Sequence, residues 1–113
     1  MNTATLGAQV TEATEIRYTI DGERKVAVFK VVFKSGWGDN QRLEPLKVLA
    51  WGKQADVAQQ LAVSQEVILN GYLSMNVVER DGFKEKIAQM TALGIFTTAT
   101  ATEEMLEDEP QAA

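Results

Sequence analysis

The chain has 113 residues, 45% of them hydrophobic, which suffices for one domain with a modest core and is too apolar for a disordered chain. It has no cysteine and no histidine, so disulfides, thiolate chemistry, the usual zinc sites and imidazole acid–base catalysis are excluded together. Its net charge of −5 argues against a polyanionic partner until the distribution is read: five of the sixteen acids (Glu103, Glu104, Glu107, Asp108, Glu109) lie beyond Thr97, where there is no base, leaving eleven acids against eleven bases in residues 1–96.

A neutral body binds phosphates if its bases are gathered on one surface. Met1 to Val10 lacks the basic start and apolar run of a signal peptide, and no stretch approaches the roughly 20 apolar residues of a membrane span. The expectation is a soluble, intracellular protein.

Thr3 to Val10 alternates Leu6, Ala8 and Val10 with Thr5, Gly7 and Gln9, the pattern of a half-buried strand. Glu15 to Ile20 continues extended, and Asp21-Gly22 signals a hairpin because both residues tolerate positive φ. Val26 to Lys34 then alternates cleanly. Ala27, Phe29, Val31 and Phe33 form a core face, while Val26, Val28, Lys30, Val32 and Lys34 mix lysine with aliphatics on the other.

Ser35 to Pro45, with two glycines, Asp39, Asn40 and a proline, reads as a loop. Trp37 sits in it between Gly36 and Gly38, and two readings stay open: a ring exposed to a ligand, or one folded back to cap the end of the fold. Leu46 to Trp51 is a strand with Leu46, Val48 and Ala50 on one side and Lys47, Leu49 and Trp51 on the other. Charge beside a large ring suits neither a fully buried nor a fully solvated face; a binding surface shows both.

After the Gly52-Lys53 turn, Gln54 to Leu61 places Val57 and Leu61 at helical spacing with Ala55, Ala58 and Ala62 beside them, predicting a short amphipathic helix that plugs one end of a sheet. Val67 to Leu73 is the next strand, with Val67, Leu69, Gly71 and Leu73 on one face and Ile68, Asn70, Tyr72 and Ser74 on the other. Gly71 within it predicts a bulge or sharp bend. Met75 to Arg80 leads to a second hairpin signal, Asp81-Gly82, and Phe83 to Ile95 forms the last strand, with Lys84 and Lys86 on one side and Phe83, Glu85 and Ile87 on the other. The acidic segment with Met105 and Leu106 reads either as a turn of helix or as disorder.

Five strands with one helix between the third and fourth describe an all-β, five-stranded OB-fold, a Greek-key barrel. On that pattern the chain resembles the bacterial single-stranded DNA-binding protein (SSB) family over about residues 3–95. The resemblance is carried by Glu15-Ile16-Arg17-Tyr18-Thr19 with Asp21-Gly22, Trp37 with Asp39, Trp51-Gly52-Lys53, and Gly71 with Leu73. Met75-Asn76 and Gly82-Phe83-Lys84-Glu85-Lys86 are closer still to the short SSB-like proteins of cyanobacteria and plastids.

The resemblance implies non-sequence-specific binding of single-stranded DNA in replication, recombination or repair, without cofactor, metal or catalysis, at a cytoplasmic, nucleoid-associated location. It implies stacking at Trp37 and Trp51, with Tyr72 and Phe83 as partial substitutes for two family tryptophans replaced here by Pro45 and Val78. Phosphate contacts are expected at Lys30, Lys34, Lys47, Lys53, Lys84 and Lys86, although any single lysine also suits a solvated strand position. Each lost platform is worth roughly 1–3 kcal/mol of stacking, so weaker binding or a smaller site than in a typical member is expected.

The family assembles as a homotetramer, which makes a tetramer the expected oligomer and a dimer the second choice. Residues 1–96 are the expected binding domain and 97–113 an acidic tail. The tail lacks the family's glycine-rich linker and closing aromatic, so it reads as a reduced partner-recruiting tip for replication or repair proteins or as a solubilising end. Two other classes stay open: a primosomal-type accessory OB protein, and a protein-interaction module with little DNA binding.

Overall fold

The computed structural model describes residues 1–97; the acidic tail expected at 97–113 lies, beyond Thr97, outside them. Its elements are β1 (Ala4–Tyr18), β2 (Lys25–Ser35), a short 3-10 turn (Gly38–Asn40), β3 (Arg42–Trp51), α1 (Lys53–Gln59), β4 (Glu66–Arg80) and β5 (Phe83–Thr97). The strands close a barrel in the order β1-β2-β3-β5-β4. All ladders are antiparallel except β3 with β5, which run parallel from Lys47 opposite Gln89 to Ala50 opposite Ala92. The expected OB-type barrel, with one helix between the third and fourth strands, is therefore present.

Period-two alternation fills the barrel. Ala27, Phe29 and Val31 of β2 meet Leu46, Val48 and Ala50 of β3, with Val10, Val67, Leu69, Met90, Ala92 and Ile95 completing the core. Phe33 is only partly buried, at the edge of this cluster.

Strand β1 is long enough to serve two neighbours. Residues 4–9 pair with β4 and residues 9–18 with β2. The corner between them is turned by register shifts between Val10 and Glu12 and between Glu12 and Glu15, where β1 carries extra residues against β2.

Three expectations change. The loop after β2 ends at Gln41, not Pro45, because Arg42 to Pro45 pair with Val32 to Ser35. Proline is tolerated there because the ladder to β5 begins only at Lys47, so the other flank of β3 is open and a missing N–H breaks no bond. The helix begins at Lys53 and turns Ala55 and Ala58 inward, with Leu61 just beyond it, while Val57 and Ala62 are exposed. The alanines let the helix lie close on β1, β2, β3 and β5, where the Thr14 hydroxyl donates to the Ala58 carbonyl at 2.9 Å. Third, Leu73 does not continue the core face of β4: it is exposed.

The reason lies at Gly71. The β4–β5 register shifts between Asn70, opposite Gly94, and Gly71, opposite Ala92, which leaves Leu93 as an outward bulge, 62% exposed. A Cβ on Gly71 would stand 1.9 Å from the Thr91 carbonyl oxygen and 2.9 Å from its carbon. Gly71 is also where β1 ends its pairing with β4, at Ala4. Two residues on, the Asn2 side chain bonds both backbone groups of Leu73, at 2.5 and 3.0 Å. β5 keeps its parallel ladder to β3 as far as Gln89, opposite Ser74. From Met75 and Ala88 the two strands continue as a two-stranded hairpin closed by Asp81 (φ 47°) and Gly82 (φ 83°), the left-handed pair that a two-residue turn requires.

Gly71→Ala is accordingly expected to destabilise the fold by about 3 kcal/mol, because backbone must move to admit the methyl group. Gly7→Ala, on a strand where an added Cβ meets nothing within 4 Å, should have little effect. Urea unfolding of the two variants makes the comparison.

Candidate nucleic-acid interface

The outward faces of β1, β2 and β3 form rows set by the ladder register. Arg17, Val26 and Trp51 make one row; Glu15, Val28 and Leu49 the next; then Glu12, Lys30 and Lys47; then Gln9, Val32 and Pro45. Lys34 and Leu43 follow on β2 and β3. An apolar platform of valines and Leu49 thus runs from Trp51 to a directly opposed lysine pair, the mixed face anticipated for β2 and β3.

The β4–β5 hairpin turns this face into a groove of about 520 Å³. Glu12, Ala13, Glu15 and Arg17 of β1 line one wall, Asn76, Val78, Arg80, Ile87, Ala88 and Gln89 of the hairpin the other, and Val28, Lys30, Pro45 and Lys47 the floor. Pro45 and Val78 are the two positions at which the sequence resemblance implies lost tryptophans, and both line this one groove. It is aliphatic where aromatic platforms would otherwise stand.

Four bases border the groove, two of them already partnered. Arg17 pairs with Glu15 at 3.1 Å and Lys30 with Glu12 at 3.7 Å, whereas Lys47 and Arg80 make no ion pair among the described residues. All of these groups but the half-buried Lys47 are exposed, so the pairs add little stability, but they set four cations against two carboxylates on the same surface.

The anticipated site residues divide accordingly. Lys30 and Lys47 come together on the groove floor. Trp51, half-buried, lies at the groove's end, one row beyond Glu15, Val28 and Leu49, with the Arg24 guanidinium over its ring. Tyr72 shares the strand face of Asn76 and Val78 but stands nearer the barrel. Lys84 and Lys86 oppose Glu79 and Val77 on the other face of the hairpin, away from Val78 and Ile87. Lys34 borders a separate depression of about 410 Å³ with Leu43 and Ile68, and Lys53 is exposed at the start of α1.

Trp37 is 90% exposed in the β2–β3 loop and caps nothing. It stands at the opposite end of the β2–β3 ladder from Trp51, about 30 Å away by strand rise, so one ligand touching both must cross the whole face. Phe83, 75% exposed, sits at the hairpin tip opposite Arg80.

Sequence reasoning missed Arg17, Arg80, Glu12, Glu15 and Arg24 as parts of this surface. The alternation of Glu15 with Arg17 and the position of Arg80 beside the Asp81-Gly82 turn were the available signals. Neither shows that the hairpin covers the sheet.

Among the described residues, no helix is long and apolar enough to cross a membrane, and no group of three or more metal-ligating side chains is gathered.

Comparison with known proteins agrees with this fold. The sequence model described as the Single-strand binding protein family matches residues 1–95. The chain is 38% identical over 94 residues to a thylakoid-associated single-stranded DNA-binding protein of Synechocystis sp., spanning 81% of this chain and 72% of the relative. It superposes on the crystal structure of the SSB domain of a Synechococcus protein with a TM-score of 0.67 and 30% identity, covering 85% of this chain and 94% of that one. The PriB protein of Ralstonia solanacearum shares the fold at a TM-score of 0.64 and 19% identity, covering 86% and 98%.

Replacing both Glu12 and Glu15 by glutamine is expected to change stability by less than about 1 kcal/mol, since both pairs are exposed. The same change should strengthen retention on a phosphate-bearing matrix at low salt. Thermal melting and a salt-gradient elution measure the two effects.

Proposed function

This chain belongs to the single-strand binding protein family, and we propose on that premise that it binds single-stranded DNA without sequence preference in the groove beneath the β4–β5 hairpin, with no catalysis. The groove carries this reading: a trough with bases on both walls and floor and an apolar surface between them suits a chain of phosphates bearing flat, variable bases. Lys47 and Arg80 are the first phosphate contacts, and Lys30 and Arg17 join as Glu12 and Glu15 are displaced. Trp51 stacks a base at one end, and Trp37 stacks another when the strand continues across the face. Lys34, Lys53, Lys84 and Lys86 lie outside the groove and contribute at longer range, screened over about 10 Å at 0.1 M salt.

The protein acts in replication, recombination or repair as a nucleoid-associated binder that holds single strands and meets partner proteins there. It assembles with itself. Leu73, Met75 and Val77 are exposed in a row on the hairpin face turned away from the groove, and Ile68, Leu93 and Phe96 add exposed apolar surface on the barrel. A homotetramer, or failing that a dimer, covers such surface, and sedimentation at tens of micromolar should show no monomer.

Titration of tryptophan emission with oligo-dT at two salt concentrations tests the binding reading. Quenching that weakens as salt rises is expected, and Trp51→Ala should weaken binding by roughly 1–3 kcal/mol without unfolding the barrel. Val78→Trp, which restores a ring on the groove wall, should tighten it. A protein that leaves oligo-dT unbound at low salt points instead to the accessory or protein-interaction role.

A further inference from the structure

Trp51 is not a bare platform. The guanidinium carbon of Arg24 lies over its ring, 4.5 Å from the centroid, a cation–π contact. The backbone holds Arg24 in place: its amide donates to the Thr19 hydroxyl at 3.2 Å, and its carbonyl accepts from the Thr19 amide at 2.9 Å. These two bonds close the neck of the β1–β2 turn. The nearby Asp21 carboxylate accepts instead from the Thr19 hydroxyl and the Glu23 amide. Arg17, Lys25 and Lys30 each hold a carboxylate, but Arg24 makes no ion pair among the described residues. Its side-chain charge feels the nearby Asp21 carboxylate only through space and makes its close contact with a π face, a weaker partner for a guanidinium than a directly bonded anion.

We propose that Arg24 and Trp51 form one composite nucleotide site, in which a base exchanges with the guanidinium on the ring and the guanidinium turns to the phosphate of that nucleotide. The proposal rests on the reading that Trp51 stacks bases. Both halves of the exchange run downhill: a base stacks on an aromatic ring more strongly than an exposed cation does, and a charge-assisted bond to phosphate replaces a contact that used none of the guanidinium's donor capacity on an anion. Only the Arg24 side chain has to move, because its backbone is already fixed beside the ring. Until a strand arrives, the guanidinium covers part of an aromatic surface otherwise open to solvent.

A double-mutant cycle in the full chain tests this. Wild type, Arg24→Gln, Trp51→Ala and the double variant are titrated with fluorescently labelled oligo-dT by anisotropy at several salt concentrations, with Arg24→Lys as the charge-conserving control and circular dichroism melting to verify the fold. Arg24→Gln is expected to weaken binding about three- to tenfold at low salt and to lower the salt slope by about 1, while Arg24→Lys keeps the slope. Once Trp51 is alanine, Arg24→Gln should have little further effect. An equal effect of Arg24→Gln in both backgrounds would make Arg24 a general charge and overturn the proposal while leaving stacking intact. Tighter binding by Arg24→Gln would make the guanidinium a competitor of DNA and overturn it too. If Trp51→Ala alone binds normally, the stacking reading itself fails, and the composite site with it.

Discussion

The binding side of this molecule depends on how closely β5 passes Gly71. With the Thr91 carbonyl oxygen 1.9 Å from where a Cβ would stand, no other residue lets the two strands meet at that distance. The same step leaves Leu93 unpaired and falls where β1 gives up its partnership with β4. Those three events mark the level at which β4 leaves β1, while β5 stays in the barrel against β3 as far as Gln89. From Met75 and Ala88 onward the two strands continue as a hairpin that lines the outer face of β1, β2 and β3. A straight β4 would leave Lys30 and Lys47 on an open sheet, with no opposite wall to bring a second set of contacts to a ligand.

On the proposed reading, it is charge within the groove that lets a neutral body address a polyanion. Overall charge decides little here, because interactions between exposed groups fade over about 10 Å at 0.1 M salt. What counts is that, among the described residues, Lys47 and Arg80 make no ion pair while Arg17 and Lys30 are held by Glu15 and Glu12. Those carboxylates occupy two of the four cations that a phosphate in this groove would use, and on the proposed reading a strand displaces them. Together with an aliphatic floor and wall at Pro45 and Val78, this gives a surface that, on the proposed reading, holds single strands more loosely than one built with four aromatic platforms.

Much of the barrel was legible in the sequence because its signals are local. Alternation in Val26 to Lys34 and Leu46 to Trp51 separates core from surface residue by residue, Asp81-Gly82 sets a turn by its φ angles, and Gly71 marks its own bend. The failures were equally physical. Pro45 reads as a loop residue unless the open flank of β3 is known, and that flank is set by where β5 joins. Val57 outweighs Ala55 and Ala58 in hydrophobicity, yet the small residues face inward because the helix lies close on the strands. Of the expected phosphate contacts, Lys30 and Lys47 were identifiable from their strand faces. The groove-lining Arg17 and Arg80, and the exclusion of Lys84 and Lys86, follow only from the fold-back of the hairpin, which no local pattern encodes.

The central claim is that single-stranded DNA lies between that hairpin and the β2–β3 face, and amide-resolved NMR mapping with a short oligo-dT tests it most directly. The account predicts that the largest perturbations fall on Lys30, Lys47, Trp51, Val78 and Arg80, on the floor of the groove and its hairpin wall at once. Perturbations confined to the outer hairpin face, around Met75, Val77 and Lys86, with the groove residues unmoved, would contradict it.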